Sequence, residues 1–333
     1  MEFFKNSLNS DMTDEYFTNI ENSDFLSMSH DDKILMIETS ITNSIKDSED
    51  VDKLKFFEQI TTNIIKKSLE HNNMIIREFG IYLTLASLQL GKEFFEPYLN
   101  SIMPELLNLL EDKHRDVMNV ALEVYPKIFE KLNCYSLNDM MGLFKERISG
   151  ESWKLSLGCL KLISVLTNSA PKQVDYLLPE LVPLITSVAA STKKELRDQT
   201  TETLNSCCSR ISNPDVIPLI PKLVKANKDP KEVPMAIEAL MGTTFVNQVE
   251  ISTLAVIVPI LNRGLKDRSS KMKRNCCLVI DNMCKLVNES KDVKPFEQDL
   301  LPFIKRVEDE ASQPEVREMA EKAVRTLSKA LAL

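Results

Sequence analysis

From residue 30 onward, the apolar residues recur at the three- and four-residue spacing that places side chains on one face of a helix. Ile34, Ile37 and Ile41 follow this spacing, and a second apolar stretch runs over 54–65. A short polar segment ends that stretch, and a third one follows over 74–88. The pattern predicts a helix, a short polar turn and another helix.

A proline-containing apolar segment then repeats along the chain. Its prolines are Pro104, Pro183, Pro221, Pro259 and Pro302. They are separated by 79, 38, 38 and 43 residues, and the first interval is twice the others because a unit over 137–167 lacks this proline. In four units an apolar residue opens the next helix 13 or 14 residues after the proline: Val117, Leu196, Met272 and Val316.

Two helices in about 40 residues is the period of HEAT repeats. We therefore predict an all-α fold, a HEAT-repeat α-solenoid in which about seven helix pairs over 30–333 form a right-handed superhelical array. Residues 1–29 are rich in Asn, Ser, Asp and Glu and keep no period, so we expect a polar acidic tail there. This tail is predicted to be partly disordered, and one short helix is compatible with its sequence.

The chain contains only 7 glycines in 333 residues. This scarcity fits short turns built from Asn, Asp, Lys and Pro. Neither the G-x-x-x-x-G-K-[ST] loop nor the G-x-G-x-x-G turn occurs in the sequence. The sequence therefore excludes nucleotide binding by a standard glycine-rich loop.

The acidic excess of the chain belongs to its N-terminal part. The formal net charge is −8, and residues 1–60 alone contain 14 Asp and Glu against 5 Lys, a net charge of −9. The remainder is nearly balanced and remains able to bind an anionic partner.

The densest basic stretch lies at a predicted turn between two helices. It contains six cations and one acid; the cations are Arg263, Lys266, Arg268, Lys271, Lys273 and Arg274. A second basic turn contains Lys193, Lys194 and Arg197. Cations repeated along the turns of a solenoid suit the phosphates of a nucleic acid, through charge and through the bidentate geometry of arginine. A solvated turn without a partner explains the same pattern equally simply.

No residue pattern marks a catalytic, cofactor or metal site. The three histidines lie far apart, and the seven cysteines show no C-x-x-C spacing. We therefore expect free thiols in a helical core and a reducing, cytoplasmic location. No apolar run reaches the roughly 20 residues of a membrane span, and the N-terminus lacks a signal-peptide pattern. Asp281 and Asn282 interrupt an apolar helix, and we expect them to form hydrogen bonds that bridge adjacent units.

Several stretches of the C-terminal half resemble a known family. They are 229–234 (DPKEVP), 240–246 (LMGTTFV), 253–265 (TLAVIVPILNRGL), 279–287 (VIDNMCKLV) and 314–318 (PEVRE). Together they are similar to the N-terminal HEAT region of fungal-type translation elongation factor 3. Residues 153–196 fit that region more loosely, and before residue 100 only the helical period agrees. The large ribosome-bound scaffold of the amino-acid-starvation response has a related segment that matches less well.

The resemblance implies a domain that docks on the ribosome, across the small-subunit head and the large-subunit central protuberance. Elongation factor 3 also has two ATPase cassettes, and none is found in these 333 residues. ATP-driven release of deacylated tRNA is therefore not carried over, and we expect no catalytic residue and no cofactor. The expected partners are rRNA and ribosomal proteins, with other translation factors left open and neither a membrane nor a small-molecule substrate.

The leading interpretation is a non-catalytic ribosome-binding protein that acts in translation elongation or its regulation. Two alternatives stay open. One is a general protein–protein scaffold that uses a concave solenoid surface, and the other is a fragment of an ATP-dependent elongation factor.

Overall fold

The computed structural model describes residues 13–131 and 136–333, and all regular structure in these ranges is helical. The chain divides into two compact units, Met1–Ser169 and Ala170–Leu333. Helix pairs stack in both units, which confirms the predicted all-α repeat solenoid.

The first unit is built from two layers of helices. Its helices are α1 (Thr13–Glu21), α2 (His30–Ile45), α3 (Asp50–Gln59), α4 (Lys66–Leu69), α5 (Met74–Leu90), α6 (Lys92–Asn108), α7 (Arg115–Lys131), α8 (Ser136–Ile148) and α9 (Trp153–Ser169). A π-helical segment, Ile60–Ile65, joins α3 to α4. Helices α3, α6 and α8 pack in one layer, and α2, α5, α7 and α9 pack in the other. Large apolar side chains such as Phe57, Phe79 and Phe95 fill this unit's core.

The second unit has the same two-layer plan. Its helices are α10 (Pro171–Ser187), α11 (Lys194–Cys208), α12 (Ile220–Lys228), α13 (Val233–Met241), α14 (Ile251–Leu265), α15 (Ser270–Cys284), α16 (Ser290–Val293), α17 (Glu297–Glu310) and α18 (Pro314–Leu331). Helices α10, α14 and α17 form one layer, and α11, α13, α15 and α18 lie on the other side, with α12 in contact with α11, α13 and α14. Helices α12 and α13 have 9 residues each, and α10 packs directly against α14.

The prolines of the repeat lie in the first helix of each pair, as predicted. Pro104, Pro183, Pro259 and Pro302 are inside α6, α10, α14 and α17. Pro221 differs, because it is the second residue of α12. At that position the missing N–H breaks no helical hydrogen bond.

The turns within the helix pairs are closed by side chains rather than by glycine. In five of them a side-chain atom accepts a hydrogen bond from the backbone N–H two residues later; these acceptors are His71 Nδ1, Asp112 Oδ1, Ser191 Oγ, Asp229 Oδ1 and Asp267 Oδ1. No described residue has a positive φ. Turns of this kind do not require glycine, so the structure explains the low glycine content as the sequence suggested.

The structure differs from the sequence prediction for the N-terminal segment. Residues 1–12 lie outside the described residues, but packed helical structure begins at Thr13 rather than at residue 30. Tyr16, Phe17 and Phe25 are buried, and the rings of Tyr16 and Phe25 lie 5.8 Å and 5.7 Å from that of Phe79 on α5. Aromatic rings bury enough area to order a short polar segment. The polar composition of residues 1–29 did not indicate that Tyr16, Phe17 and Phe25 are buried.

Candidate nucleic-acid interface

The strongest candidate interface is the turn between α14 and α15, residues 266–269. Asp267 Oδ1 accepts a hydrogen bond from Ser269 N at 2.7 Å, and Ser269 Oγ accepts one from Met272 N at 3.3 Å. Ser269 is the N-cap of α15. Two side chains therefore close this turn and fix the start of α15.

Four cations in this turn and in the first five residues of α15 (270–274) are left uncommitted. Arg268, Lys271 and Arg274 are exposed, and Lys273 is half-buried. Within the described part of the chain, no side-chain hydrogen bond or ion pair engages any of the four. Their only nearby acid in sequence is Asp267. The turn therefore presents a rigid, locally positive surface to solvent.

The structure gives the other two cations of this stretch local contacts. Arg263 Nη1 donates to the carbonyl oxygens of Ala226 and Asn227, at 2.7 Å and 2.9 Å, and so holds the end of α12 against α14. Partial burial lowers the pKa of the Arg263 guanidinium, which still stays charged at neutral pH. The ammonium of Lys266 lies 4.2 Å from the ring centroid of Phe303. These two side chains are held by the fold.

Arg197, in the second basic turn, belongs to a recurring structural device. Its Nη1 donates to the carbonyls of Ser191 and Thr192, six and five residues earlier, at 2.8 Å and 2.9 Å. Arg77 and Arg317 make the same pair of bonds in their own turns. We call these three residues the turn-capping arginines. Lys193 and Lys194 are exposed beside Arg197 at the start of α11.

The expected polar bridge between adjacent helix pairs is present at Asp281. This residue of α15 is fully buried, and its Oδ1 accepts a hydrogen bond from Thr326 Oγ1 of α18 at 2.6 Å. Its Oδ2 accepts from Lys285 Nζ at 2.6 Å, and Lys322 Nζ lies 3.4 Å away. Asn282 is half-buried, and the bridge rests on Asp281.

Sequence reasoning did not identify a cavity of about 320 Å³ between α10, α14 and the start of α17. Its lining includes Pro179, Pro183, Pro259, Asn262 and Lys266. The spacing of Pro259, Asn262, Arg263 and Lys266 places all four on one face of α14. Reading the polar residues of the proline-containing helices at helical spacing would have revealed this face.

The described residues show neither a metal-binding group nor an activated thiol. No cluster of three or more His, Cys, Asp or Glu side chains in that part of the chain is arranged to hold a metal ion. The six described cysteines are free and buried, as expected, and burial raises the pKa of Cys208, for example, to about 12. Within the described ranges, every helix is too short or too polar to cross a bilayer.

Comparison with known proteins connects both units to one family. The family model "EF3 N-terminal HEAT repeat" matches residues 37–204, and "Elongation factor 3/GNC1 HEAT repeat" matches residues 232–333. Elongation factor 3 of Pneumocystis carinii is 31% identical over 300 residues, which cover 89% of this chain and 29% of that protein. Elongation factor 3B of Saccharomyces cerevisiae is 31% identical over 263 residues, covering 79% and 25%.

The chain thus spans less than a third of the length of these relatives. Among solved structures, karyopherin Kap121p bound to Ste12p is similar with a TM-score of 0.41 and 12% identity, over 92% of this chain and 35% of that one. The first family model alone covers half of the chain, and its match includes the region where only the helical period had pointed to the family. The chain belongs to the elongation factor 3 HEAT-repeat family.

Proposed function

We propose that this chain is a non-catalytic, cytoplasmic HEAT-repeat protein that binds the ribosome and acts in translation elongation or its regulation. Its curated relatives are named as elongation factors. The observation that carries the ribosome-binding part is the turn between α14 and α15, with its four uncommitted cations. This turn lies inside the segment that the elongation factor 3/GNC1 family model matches.

The turn is suited to a polyanion for two physical reasons. Hydrogen bonds of Asp267 and Ser269 hold its backbone, so little conformational entropy is lost when a ligand binds. Each cation that meets a phosphate also releases condensed counterions, which makes binding strong at low salt. We therefore assign Arg268, Lys271, Lys273 and Arg274 to rRNA contact, with Lys193 and Lys194 as a second contact.

The arginines Arg263 and Arg197 are held by the fold beside these contacts. Each donates from its guanidinium to backbone carbonyls, and so shapes a turn beside which exposed cations lie. The cysteines also favour a binding role over a catalytic one. Burial raises the pKa of Cys207 and Cys208, and a buried thiol with a raised pKa is a poor nucleophile. Ribosomal proteins beside the contacted rRNA and other translation factors are further partners in this proposal.

The test is co-sedimentation of the purified chain with ribosomes across a salt series. The variant Arg268→Gln/Lys271→Gln/Arg274→Gln should bind more weakly, and the slope of log K against log salt should become shallower by about 2 to 3, roughly one unit for each lost phosphate contact. The matched control is Lys222→Gln/Lys305→Gln/Lys329→Gln, which removes three exposed lysines away from the turns. The control should keep the wild-type slope.

Two outcomes would count against the proposal. Failure of the wild-type chain to sediment with ribosomes even at low salt would exclude ribosome binding. Equal loss in the two triple variants would show that binding follows net charge and not the turn. A partner protein captured independently of RNA, with no ribosomal component, would favour the scaffold alternative, and ATP turnover by the highly purified chain would contradict a non-catalytic role.

A further inference from the structure

The cavity beside α14 has features of a ligand site. It has a volume of about 320 Å³, at the small end of the range for ligand pockets. Pro179, Pro183, Pro259 and Phe296 supply apolar walls, and Val258 also lines the cavity. Flat, rigid proline and phenylalanine rings are surfaces on which a planar group can stack.

The polar atoms around the cavity are rich in free acceptors. Asn262 Oδ1 is buried and has no hydrogen-bond partner among the described residues. Thr186 and Ser187 each donate a hydroxyl to a carbonyl three residues earlier, at 2.9 Å and 2.6 Å, so their oxygens still accept. Pro183 has no N–H, which leaves the carbonyl of Pro179 without its helical donor. A ligand that brings N–H donors would satisfy these atoms.

The rim of the cavity carries fixed positive charge. Arg263 is held by two backbone carbonyls, and Lys266 is held over the ring of Phe303. Asp299 supplies one carboxylate to the lining. Lys266 is the C-cap residue of α14 and begins the turn that leads to the four free cations. An anionic chain that follows the turn therefore reaches the cavity at Lys266.

We propose that this cavity takes one unpaired nucleotide of the bound RNA, an inference that rests on the proposed ribosome-binding function. The base lies between the proline and phenylalanine walls, its N–H groups donate to Asn262 Oδ1 and Asp299, and its phosphate lies at Lys266 and Arg263. Positive charge that is continuous with the basic turn favours RNA over a peptide as the occupant. Bases of single-stranded RNA are read in this way, by stacking and by hydrogen bonds to their edges.

The test compares three oligomers of equal length by fluorescence anisotropy with the full chain: single-stranded RNA, the same RNA as a duplex, and an abasic ribose-phosphate chain. The wild-type chain should bind the single strand about tenfold more tightly than the abasic chain, a ratio typical for one stacked base. The variants Asn262→Leu and Thr186→Trp should lose this preference, the first by removing the amide and the second by filling the cavity. Both should keep the affinity for the abasic chain.

Matched controls separate the cavity from general effects of the substitutions. Asn282→Leu replaces a half-buried asparagine on α15, outside the cavity lining. Ser209→Trp replaces an exposed hydroxyl that also donates to a carbonyl three residues earlier, at 2.6 Å. Both controls should keep the preference for the single strand. Thermal unfolding of each variant confirms that it is folded.

The outcomes distinguish this inference from the function on which it rests. If the wild-type chain binds none of the three oligomers and no ribosomes, both are wrong. If it binds all three oligomers equally, and the basic-turn triple variant still weakens binding, the proposed function stands and the nucleotide assignment is overturned. If the cavity variants reduce binding to ribosomes but not to any oligomer, the cavity takes a ribosomal protein and the nucleotide assignment is again overturned.

Discussion

The carboxylate of Asp281 should be a main stabilising contact between the last two helix pairs. It is fully buried on α15 and accepts a hydrogen bond from Thr326 on α18. Lys285, the C-cap residue of α15, donates to its other oxygen at 2.6 Å. We therefore expect Asp281→Asn, which keeps the size of the side chain and removes its charge, to weaken the packing of α15 on α18.

The expected loss of unfolding free energy follows from the side chains that no longer face a charged carboxylate. A hydrogen bond to a charged group contributes about 1.5–3 kcal/mol. The hydrogen bond with Thr326 is buried, so its contribution should lie in this range. The side chains of Lys285 and Lys322 are 48% and 57% exposed. Water can therefore replace the carboxylate around them, and their share is small. The free energy of unfolding should fall by about 2 kcal/mol at pH 7.

The pH dependence gives an independent check. Burial alone would raise the pKa of Asp281, but the hydrogen bonds from Lys285 and Thr326 and the charges of the two lysines outweigh it and hold the pKa below its usual value. A carboxyl with a lower pKa in the folded state stabilises the fold above its unfolded pKa, and this stabilisation is lost as the pH falls through the folded pKa. The difference between wild type and Asp281→Asn should therefore shrink as the pH drops below about 4.

Urea denaturation followed by far-UV circular dichroism measures the loss, and hydrogen exchange should place it on α15 and α18. Asp309→Asn on α17 is the matched control, since Asp309 is exposed. An unfolding free energy for Asp281→Asn within about 0.5 kcal/mol of this control at pH 7 would refute the assigned role, being well below the expected loss. A deficit that stays constant into the acid range would refute the electrostatic part.

Three further predictions follow from other contacts. Gly264→Ala should destabilise the protein by about 1–3 kcal/mol, because a Cβ there would lie 2.5 Å from Cys276 Sγ and from Ile237 Cδ1. Gly242→Ala is the control and should be tolerated, since the nearest atoms to its Cβ are 3.6 Å away. Equal melting temperatures of the two variants would contradict this. Arg197→Lys should cost about 1 kcal/mol by thermal unfolding, because the planar guanidinium fixes both N–H bonds of Nη1 toward the two carbonyls and a flexible lysine does not, while Arg268→Lys should cost nothing measurable. In the folded chain Cys208 and Cys277 should resist a thiol reagent at pH 8, since burial raises the pKa of each to about 12; rapid labelling without denaturant would disprove their burial.

The repeat was predictable because its landmarks are local. A proline within the first helix and an apolar residue at the start of the second recur with the period of the helix pair. The loop that precedes α14 was not predictable in this way. Asp215 Oδ2 accepts hydrogen bonds from Val246 N and Asn247 N, about 30 residues away in sequence. Periodicity records neighbours three and four residues apart and misses such contacts.

The candidate site was predictable only in part, because counting cations does not show which are already bound. Arg263, Arg268 and Arg274 are equivalent in the sequence. In the structure Arg263 donates to two carbonyls, while Arg268 and Arg274 are exposed. The prediction for Arg268 and Arg274 as RNA contacts stays a prediction, and the structure changes which variants test it best.

Among the described residues, the free cations in the turn after α14 and at the start of α15 have no side-chain hydrogen bond or ion pair. This has a measurable consequence for the stability of the fold. Elsewhere a turn-capping arginine satisfies carbonyls that a helix end leaves without donors. Here Asp267 and Ser269 already close the turn, so Arg268, Lys271 and Arg274 mainly repel one another in the free protein. The triple glutamine variant should therefore melt at the wild-type temperature or slightly above it in low salt, while it binds ribosomes more weakly. A clear loss of stability would instead show that these cations serve the fold, and the argument that assigns them to a polyanion would fail.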